Sequence, residues 1–311
     1  MKNEINYFYN IYPKQILKKD DSYYFDYHHS HYMFIPFKRD LKDQNLIFNL
    51  NHILKGRGVL THDIIINNNK QILTIIDNNI PYILLKIQVD CDKIINIWDL
   101  IEFQKRAIIT SAYFEPTDWS ILWGQKIDYF EYQMNQLGKK YPELYNSFSY
   151  FVGLAENAIS YVKDTIIEQN PTPYDYIVVS HKRVKGDMKC FDFFNPLEYI
   201  KDYQVRDLSE YLKSIFWLGK NPIKDLDIYL KNIYLTPYSL RLLYGRLLFP
   251  SFYFDLFSEI IEGREPEALI TKFIDGINKY ETFLYEVNNY INKYTPIPVV
   301  NWINKKNYKK L

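Results

Sequence analysis

Apolar and polar positions alternate in short runs over the first 89 residues and then adopt a helical period. Residues 23–27 and 32–37 are rich in aromatics and flank His28, His29, Ser30 and His31, which predicts a β-hairpin. Leu46, Ile47, Leu50, Ile53 and Leu54 recur at helical intervals and predict a helix over 40–55. Asp40 is its expected N-cap, and Gly56 the left-handed residue that ends it. Three β-branched runs follow at 63–66, 71–76 and 82–89, separated by Asn-rich turns.

Beyond residue 90 the spacing is that of amphipathic helices. Trp119, Trp123, Phe130, Met134 and Leu137 predict a helix over 118–137 stopped by Gly138. Phe148, Phe151, Val152, Ala155, Ile159, Val162 and Ile166 predict another over 143–167. Residues 176–180 and 190–194 read as two short strands. Helices are predicted again over 206–218, 223–233, 237–249, 252–262 and 266–294, followed from Thr295 by an extended, Lys-rich tail. A β-rich N-terminal lobe, 1–89, followed by a larger helical lobe, 90–311, with a small β-hairpin inside it, is an α+β layout of the bilobal kinase type.

Composition narrows the class. A chain of 311 residues exceeds the roughly 250 to 300 at which single cores stop growing, which agrees with two lobes. Lys and Arg number 38 against 37 Asp and Glu, a net charge of +1, so no basic excess points to nucleic acid. No stretch approaches ~18 consecutive apolar residues, so no membrane span is expected. Lys2, Glu4 and scattered Asn deny the start the apolar run of an export signal. Cys91 and Cys190 fit neither a disulfide framework nor a metal spacing and read as two unrelated buried thiols in a reducing compartment. Aromatics at 18% fill cores readily. Only 10 residues are Gly, about half the usual share of ~7%, so phosphate loops that need bare backbone are hard to build.

Several stretches carry a family resemblance. The helix at 151–165, Phe-Val-Gly-Leu-Ala-Glu-Asn-Ala-Ile-Ser-Tyr-Val-Lys-Asp-Thr, resembles the signature helix of the YutH-like spore coat proteins. These belong to the CotS group, whose fold is that of aminoglycoside and choline phosphotransferases. The Trp-rich helix at 119–131, Ser180-His181-Lys182-Arg183, the stretch 195–215 and the stretch 239–250 agree in order and spacing. The resemblance runs from about residue 11 to residue 262 and is carried mainly beyond residue 90. It implies a bilobal kinase-like fold and a role in sporulation or the spore coat.

Phosphoryl transfer is mostly positioning and charge stabilisation, so its parts can be sought one at a time. No Gly precedes Gly56, so the first hairpin has no glycine loop to lay over phosphates. His28, His29 and His31 stand there instead; a solvated turn is the simpler reading, a metal site the alternative. The third strand, 32–37, has no cation before Lys38, and Lys86 belongs to the strand expected to lead out of the lobe.

The resemblance aligns His181-Lys182-Arg183 with a His-x-Asp catalytic loop. Arginine cannot accept a proton at neutral pH, so Arg183 offers either an anion contact or a structural ion pair. Counting back from Asp207, the metal-binding acid of relatives falls on Asn195, whose neutral oxygen is a poor Mg²⁺ ligand. Asp192, in Asp192-Phe193-Phe194, is the alternative acid, and Asp187, after Gly186, is a second; a turn suits Gly-Asp better. Glu156, Asn157, Asp207, Arg241 and Arg246 read as a structural ion-pair and capping set, with Tyr244 beside it.

The expectation is a catalytically degenerate kinase-like protein with a structural or interaction role, without cofactor, in contact with other proteins such as spore coat components. It would be cytoplasmic, or in the coat if the source makes spores. A divergent phosphotransferase using ATP and magnesium through Asp192 or Asp187, with His181 for positioning, is the alternative. A third reading binds nucleotide without turnover.

Overall fold

The computed structural model describes residues 1–76, 79–89, 91–109 and 117–303. Asp90, where the sequence period changes, and the Lys-rich end of the tail lie outside them. The elements begin with α1 (Lys2–Tyr9), β1 (Leu17–Lys19), β2 (Ser22–Tyr27), β3 (Ser30–Pro36), α2 (Asp43–Gly56), β4 (Asp63–Ile65), β5 (Thr74–Ile76) and β6 (Ile80–Lys86). They continue with α3 (Ile97–Arg106), α4 (Trp119–Leu137), α5 (Pro142–Glu168), β7 (Ile177–His181), α6 (Cys190–Phe193) and β8 (Tyr199–Tyr203). Five helices complete the chain: α7 (Val205–Trp217), α8 (Pro222–Asn232), α9 (Pro237–Leu248), α10 (Ser251–Ile261) and α11 (Thr271–Ile291). Two compact units result. One comprises Met1–Phe114, Ile177–Arg183 and Asp187–Asp202; the other Glu115–Tyr176, Val184–Gly186 and Tyr203–Leu311.

The first unit is built on an antiparallel sheet in the order β1-β2-β3-β6-β4, with β5 also paired to β6. Alternation along β3 and β6 sorts their side chains onto two faces. Phe34, Tyr82 and Leu84 join Ile5, Tyr9 and Ile11 in a core that includes α1. Met33, Ile83 and Leu85 join Phe37, Leu73 and Ile47 of α2 in the core on the other face.

Helix α1 was not legible, because Tyr and Phe broken by Asn have no clear helical stripe. Packing of the fully buried Ile5, and a stop at the left-handed Asn10 (φ 53°), specify it. Helix α2 starts three residues later than the sequence predicts. Asp40 shapes the preceding turn, accepting from the Lys42 amide through its carboxylate and from Asp43 through its carbonyl, both at 2.9 Å. Gly56 remains helical, and Gly58 (φ 73°) takes the left-handed position instead.

The helical unit follows its sequence signals closely. Asp118 caps α4 through the amide of Ser120 (2.9 Å), Asn221 caps α8 and Thr236 caps α9, the last two with Pro at the first helical position. Helix α4 ends at Leu137 with Gly138 at its C-cap, as expected, and Gly138 (φ −56°) opens a 3-10 turn. Helix α9 is buried from Tyr238 to Leu248. A Cβ at Gly245 would lie 2.7 Å from Val162 Cγ2, so the missing side chain sets how closely α9 approaches α5. Aromatics fill this core in pairs, such as Phe151 on Tyr253 at 3.9 Å and Trp123 on Phe249 at 4.3 Å. Among the described residues no helix is long and apolar enough to cross a membrane.

Candidate functional site

The segments that would carry phosphoryl transfer all fall in the sheet unit. The aromatic pattern puts the first hairpin at 23–37, but the structure adds β1, three exposed residues with no apolar signal. The first hairpin is therefore β1–β2, and its turn is Asp20 (φ 53°) and Asp21. The His28-His29 turn closes the second hairpin, both residues being left-handed (φ 45° and 58°) and exposed. His31 bonds Asp26, its cross-strand partner, at 2.6 Å. The three histidines do not converge, and no group of three or more His, Cys, Asp or Glu that could hold a metal occurs among the described residues.

On the third strand, Met33 and Ile35 face α2 and its Ile47, and Phe191 and Leu197 pack against the same cluster. Lys38 is 77% exposed, with its ammonium 3.8 Å from Asp21. Lys86 stands opposite Tyr32, which packs on the α1 side, so it shares that face and not the α2 face.

At the end of β7, His181 is fully buried. Its Nε2 donates to the Phe193 carbonyl at 2.8 Å, and its ring stacks on Phe193 at 4.3 Å, with Phe103 and Tyr199 around it. Arg183 donates to the Lys182 carbonyl at 2.8 Å. Burial, and after it the Arg39 guanidinium, hold the Lys182 ammonium below its ordinary value. Arg39 bonds the carbonyls of Leu197 (3.1 Å) and Tyr199 (2.7 Å) and pairs with Asp43 on α2 at 2.8 Å. This tie joins the start of α2 to the segment between α6 and β8.

The expected strand at 190–194 is a correction. Those residues form the one-turn helix α6, and β7 pairs with β8 instead. The buried residues, Cys190 and Phe193, are three apart, which is helical spacing. His62, fully buried, clasps this helix: its amide donates to Phe194 O (3.1 Å) and its Nε2 to Phe191 O (3.0 Å), while its Nδ1 accepts from the Gln88 amide (3.2 Å). Asn195 turns its side-chain oxygen to the Leu197 amide at 3.1 Å, capping a 3-10 turn. Asp192 is exposed; surrounding chain raises its carboxyl above the ordinary range, with Lys189 opposing and Glu198 adding. Asp187 is exposed in the turn after Gly186.

In the helical unit the motif residues lie on α5, α7 and α9. Glu156 is exposed, and Asn157 donates to Gly153 O at 2.6 Å and accepts from Trp302 Nε1 at 3.4 Å. Arg241 pairs with Glu168 at 2.7 Å. Arg246 and Arg206 lie over the Trp119 ring, 5.0 and 4.3 Å from its centroid. Asp207 is fully buried in the first turn of α7, but Gln204 is the residue at the cap.

Residues 2–287 match the family described as "Spore coat putative kinase YutH". The chain belongs to this family. It is 28% identical over 208 residues to the endospore coat-associated protein YutH of Bacillus subtilis (strain 168), a match covering 60% of this chain and 61% of that protein. It therefore spans about three fifths of the length of that relative.

The fold is that of bilobal, protein-kinase-like α+β phosphotransferases. An aminoglycoside phosphotransferase from Alicyclobacillus acidocaldarius superposes with a TM-score of 0.65 at 9% identity, over 92% of this chain and 94% of that one. A choline/ethanolamine kinase family protein from Mesorhizobium loti gives 0.53 at 9%, over 88% and 91%. At such identities the likeness is one of fold.

Sequence reasoning passed over four polar residues that the structure buries wholly or in part. Arg39 and His62 bind backbone far away in sequence, as described above. Asp175 accepts from Thr236, from Ser239 (2.6 Å) and from the amide and hydroxyl of Thr172 (2.7 and 2.8 Å). Lys213 pairs with Glu210 at 2.7 Å, their side chains 3% and 9% exposed. Lys213 lies three residues after Glu210 on α7, and that spacing was the available signal.

Proposed function

We propose that this chain is a kinase-fold protein of the endospore coat that acts by binding other coat proteins and transfers no phosphoryl group. It requires neither ATP nor magnesium, and it is made in the cytoplasm before joining the coat. The observation that carries this reading is the α2 face of the sheet. Met33, Ile35, Ile83 and Leu85 meet Ile47, Phe191 and Leu197 there, an apolar set with no lysine among it, whereas the third strand of a phosphotransferase carries one. The first hairpin adds Asp20 and Asp21, whose charges oppose the phosphates that a glycine loop would cover. Arg183 in place of an acidic base, and an Asn195 oxygen already engaged by a backbone amide, favour the same conclusion. The coat assignment rests on the family and on the endospore-coat association of its Bacillus relative.

Thermal unfolding with increasing ATP and Mg²⁺ tests the chemical half. A ligand at a hundred times its Kd would add about 2.7 kcal/mol of stability, so binding would be visible. No saturable shift is expected. A magnesium-dependent shift that Asp192→Ala removes, with phosphate release, would establish a phosphotransferase instead; a shift without release would indicate a nucleotide-bound scaffold. A fluorescent fusion followed through sporulation of the source tests the other half, and a signal that stays diffuse in the mother cell overturns it.

A further inference from the structure

The chain's two cysteines, distant in sequence, meet in the sheet unit. Residues 91–95 run antiparallel to 188–191. Ile94 bridges Lys189, the Ile95 amide donates to Met188 O (2.9 Å), the Cys190 amide to Lys93 O (2.8 Å) and the Phe191 amide to Cys91 O (3.3 Å). Asp92 and Lys189 pair across the same strip at 2.5 Å. This register sets Cys190 opposite Lys93, two residues along the strip from Cys91, whose carbonyl takes the Phe191 amide. The Cys190 thiol also has that of Cys91 within hydrogen-bond reach, and burial, and after it this contact, raise the pKa of Cys190. Cys91 is half-buried and reachable, whereas Cys190 is buried behind it.

We propose that Cys91 and Cys190 form a dithiol site that closes into an intramolecular disulfide when the protein meets a low-molecular-weight disulfide oxidant. The Cys91 thiolate attacks one sulfur of the oxidant and expels a thiolate, which takes up a proton and leaves a mixed disulfide on Cys91. Cys190 then gives its proton to solvent and attacks Sγ of Cys91, expelling the second thiol. Two cysteine thiols are oxidised and one external disulfide is reduced to two thiols. Closure ties the 91–95 segment covalently to α6, the helix that carries Phe191 and Phe193. The assignment is independent of the coat reading.

The test uses the full chain treated with glutathione disulfide, blocked with an alkylating agent, and digested with trypsin without reduction. Cys91 falls in the tryptic peptide 87–93 and Cys190 in 190–201, so the linked pair is a distinct species. The expected major product is that linked pair, formed at least about tenfold faster in the native protein than in the same chain unfolded in guanidinium, because the fold holds the two sulfurs together. Cys91→Ser should leave Cys190 slow to react. Separate glutathione adducts, no reaction, or equal rates in native and unfolded chains would each overturn the proposal. So would a Cys190 that reacts as fast in Cys91→Ser as in the parent.

Discussion

Replacing Lys213 by Met should be among the most damaging single changes in the helical unit. The ammonium is 2.7 Å from both Glu210 Oε1 and Ser251 Oγ, and 3.2 and 3.3 Å from the carbonyls of Arg246 and Phe249. Ser251 in turn donates to Glu210 Oε2 at 3.0 Å. One amine thus joins α7 to the end of α9 and the start of α10, where the terminal carbonyls of α9 have no helical partner. Methionine keeps most of the stem volume and removes the charge. It removes the cation of a buried, hydrogen-bonded ion pair, a loss of about 3–5 kcal/mol. The two carbonyls add a share of the ~1–3 kcal/mol that an unsatisfied buried group costs, reduced where they find other donors. The assay is urea unfolding followed by tryptophan fluorescence, since Trp119, Trp123, Trp217 and Trp302 all belong to this unit. Lys213→Met/Glu210→Gln removes both charges and should recover about 2 kcal/mol relative to Lys213→Met, because the ion pair is then removed as a whole. A single variant within about 1 kcal/mol of the parent, or a double variant as unstable as the sum of the singles, would refute the account.

Asp175→Ala should destabilise by about 3 kcal/mol in the same assay, since it removes a buried acceptor of bonds from Thr172, Thr236 and Ser239 at the start of α9. Gly245→Ala puts a methyl against Val162 and is expected to cost about 1–3 kcal/mol, with relief in Gly245→Ala/Val162→Ala. Burial raises the Asp225 carboxyl above its ordinary value, while the Tyr211 hydroxyl at 3.1 Å and nearby lysines oppose the shift. The folded state therefore holds that proton more tightly, and the parent loses stability as pH rises from the ordinary carboxylate range through the raised value. Asp225→Asn should accordingly gain on the parent over that window and lose its advantage in acid; thermal melts at a series of pH values that show the parent gaining instead would contradict the assignment.

The helical unit was the legible part, for a physical reason. Its helices are long, carry one apolar stripe, and start at Asp118, Asn221-Pro222 and Thr236-Pro237, so periodicity and caps agree. Errors gathered where local pattern and tertiary packing part company. The β1 strand has no buried residue to reveal it, and α1 is held by Ile5 and Tyr9 against a sheet that lies later in the chain. Residues 190–194 carry aromatics that favour a strand, yet Phe193 stacks on His181 and Phe191 enters the α2 core, which only a helical turn allows together. At the site, the positions of His181, Arg183 and Asn195 were readable from the family pattern. The residues that bond to their surroundings were not, because Arg39 and His62 take as partners backbone groups at residues 191–199 that no local spacing announces.

Those long-range bonds also bear on what the fold can do without a ligand. A phosphotransferase holds lysine, acid and amide groups open toward a nucleotide, and that arrangement leaves like charges and unsatisfied donors whenever the site is empty. In this chain the residues around α6 are bonded to one another. Arg39 is neutralised by Asp43 and two carbonyls, both nitrogens of His62 are engaged, His181 is bonded and stacked, and the Asn195 oxygen is held by an amide. Opening this neighbourhood to admit triphosphate and metal would expose Phe191 and Leu197 and break several buried hydrogen bonds at about 1 kcal/mol or more apiece. The repulsion of Asp20 and Asp21 would oppose the phosphates after that. Any nucleotide would have to supply that free energy before its own affinity counted, whereas a protein partner docking on the outer surface would not. The proposed scaffold role thus draws on packing and pairing together rather than on the identity of any one catalytic residue.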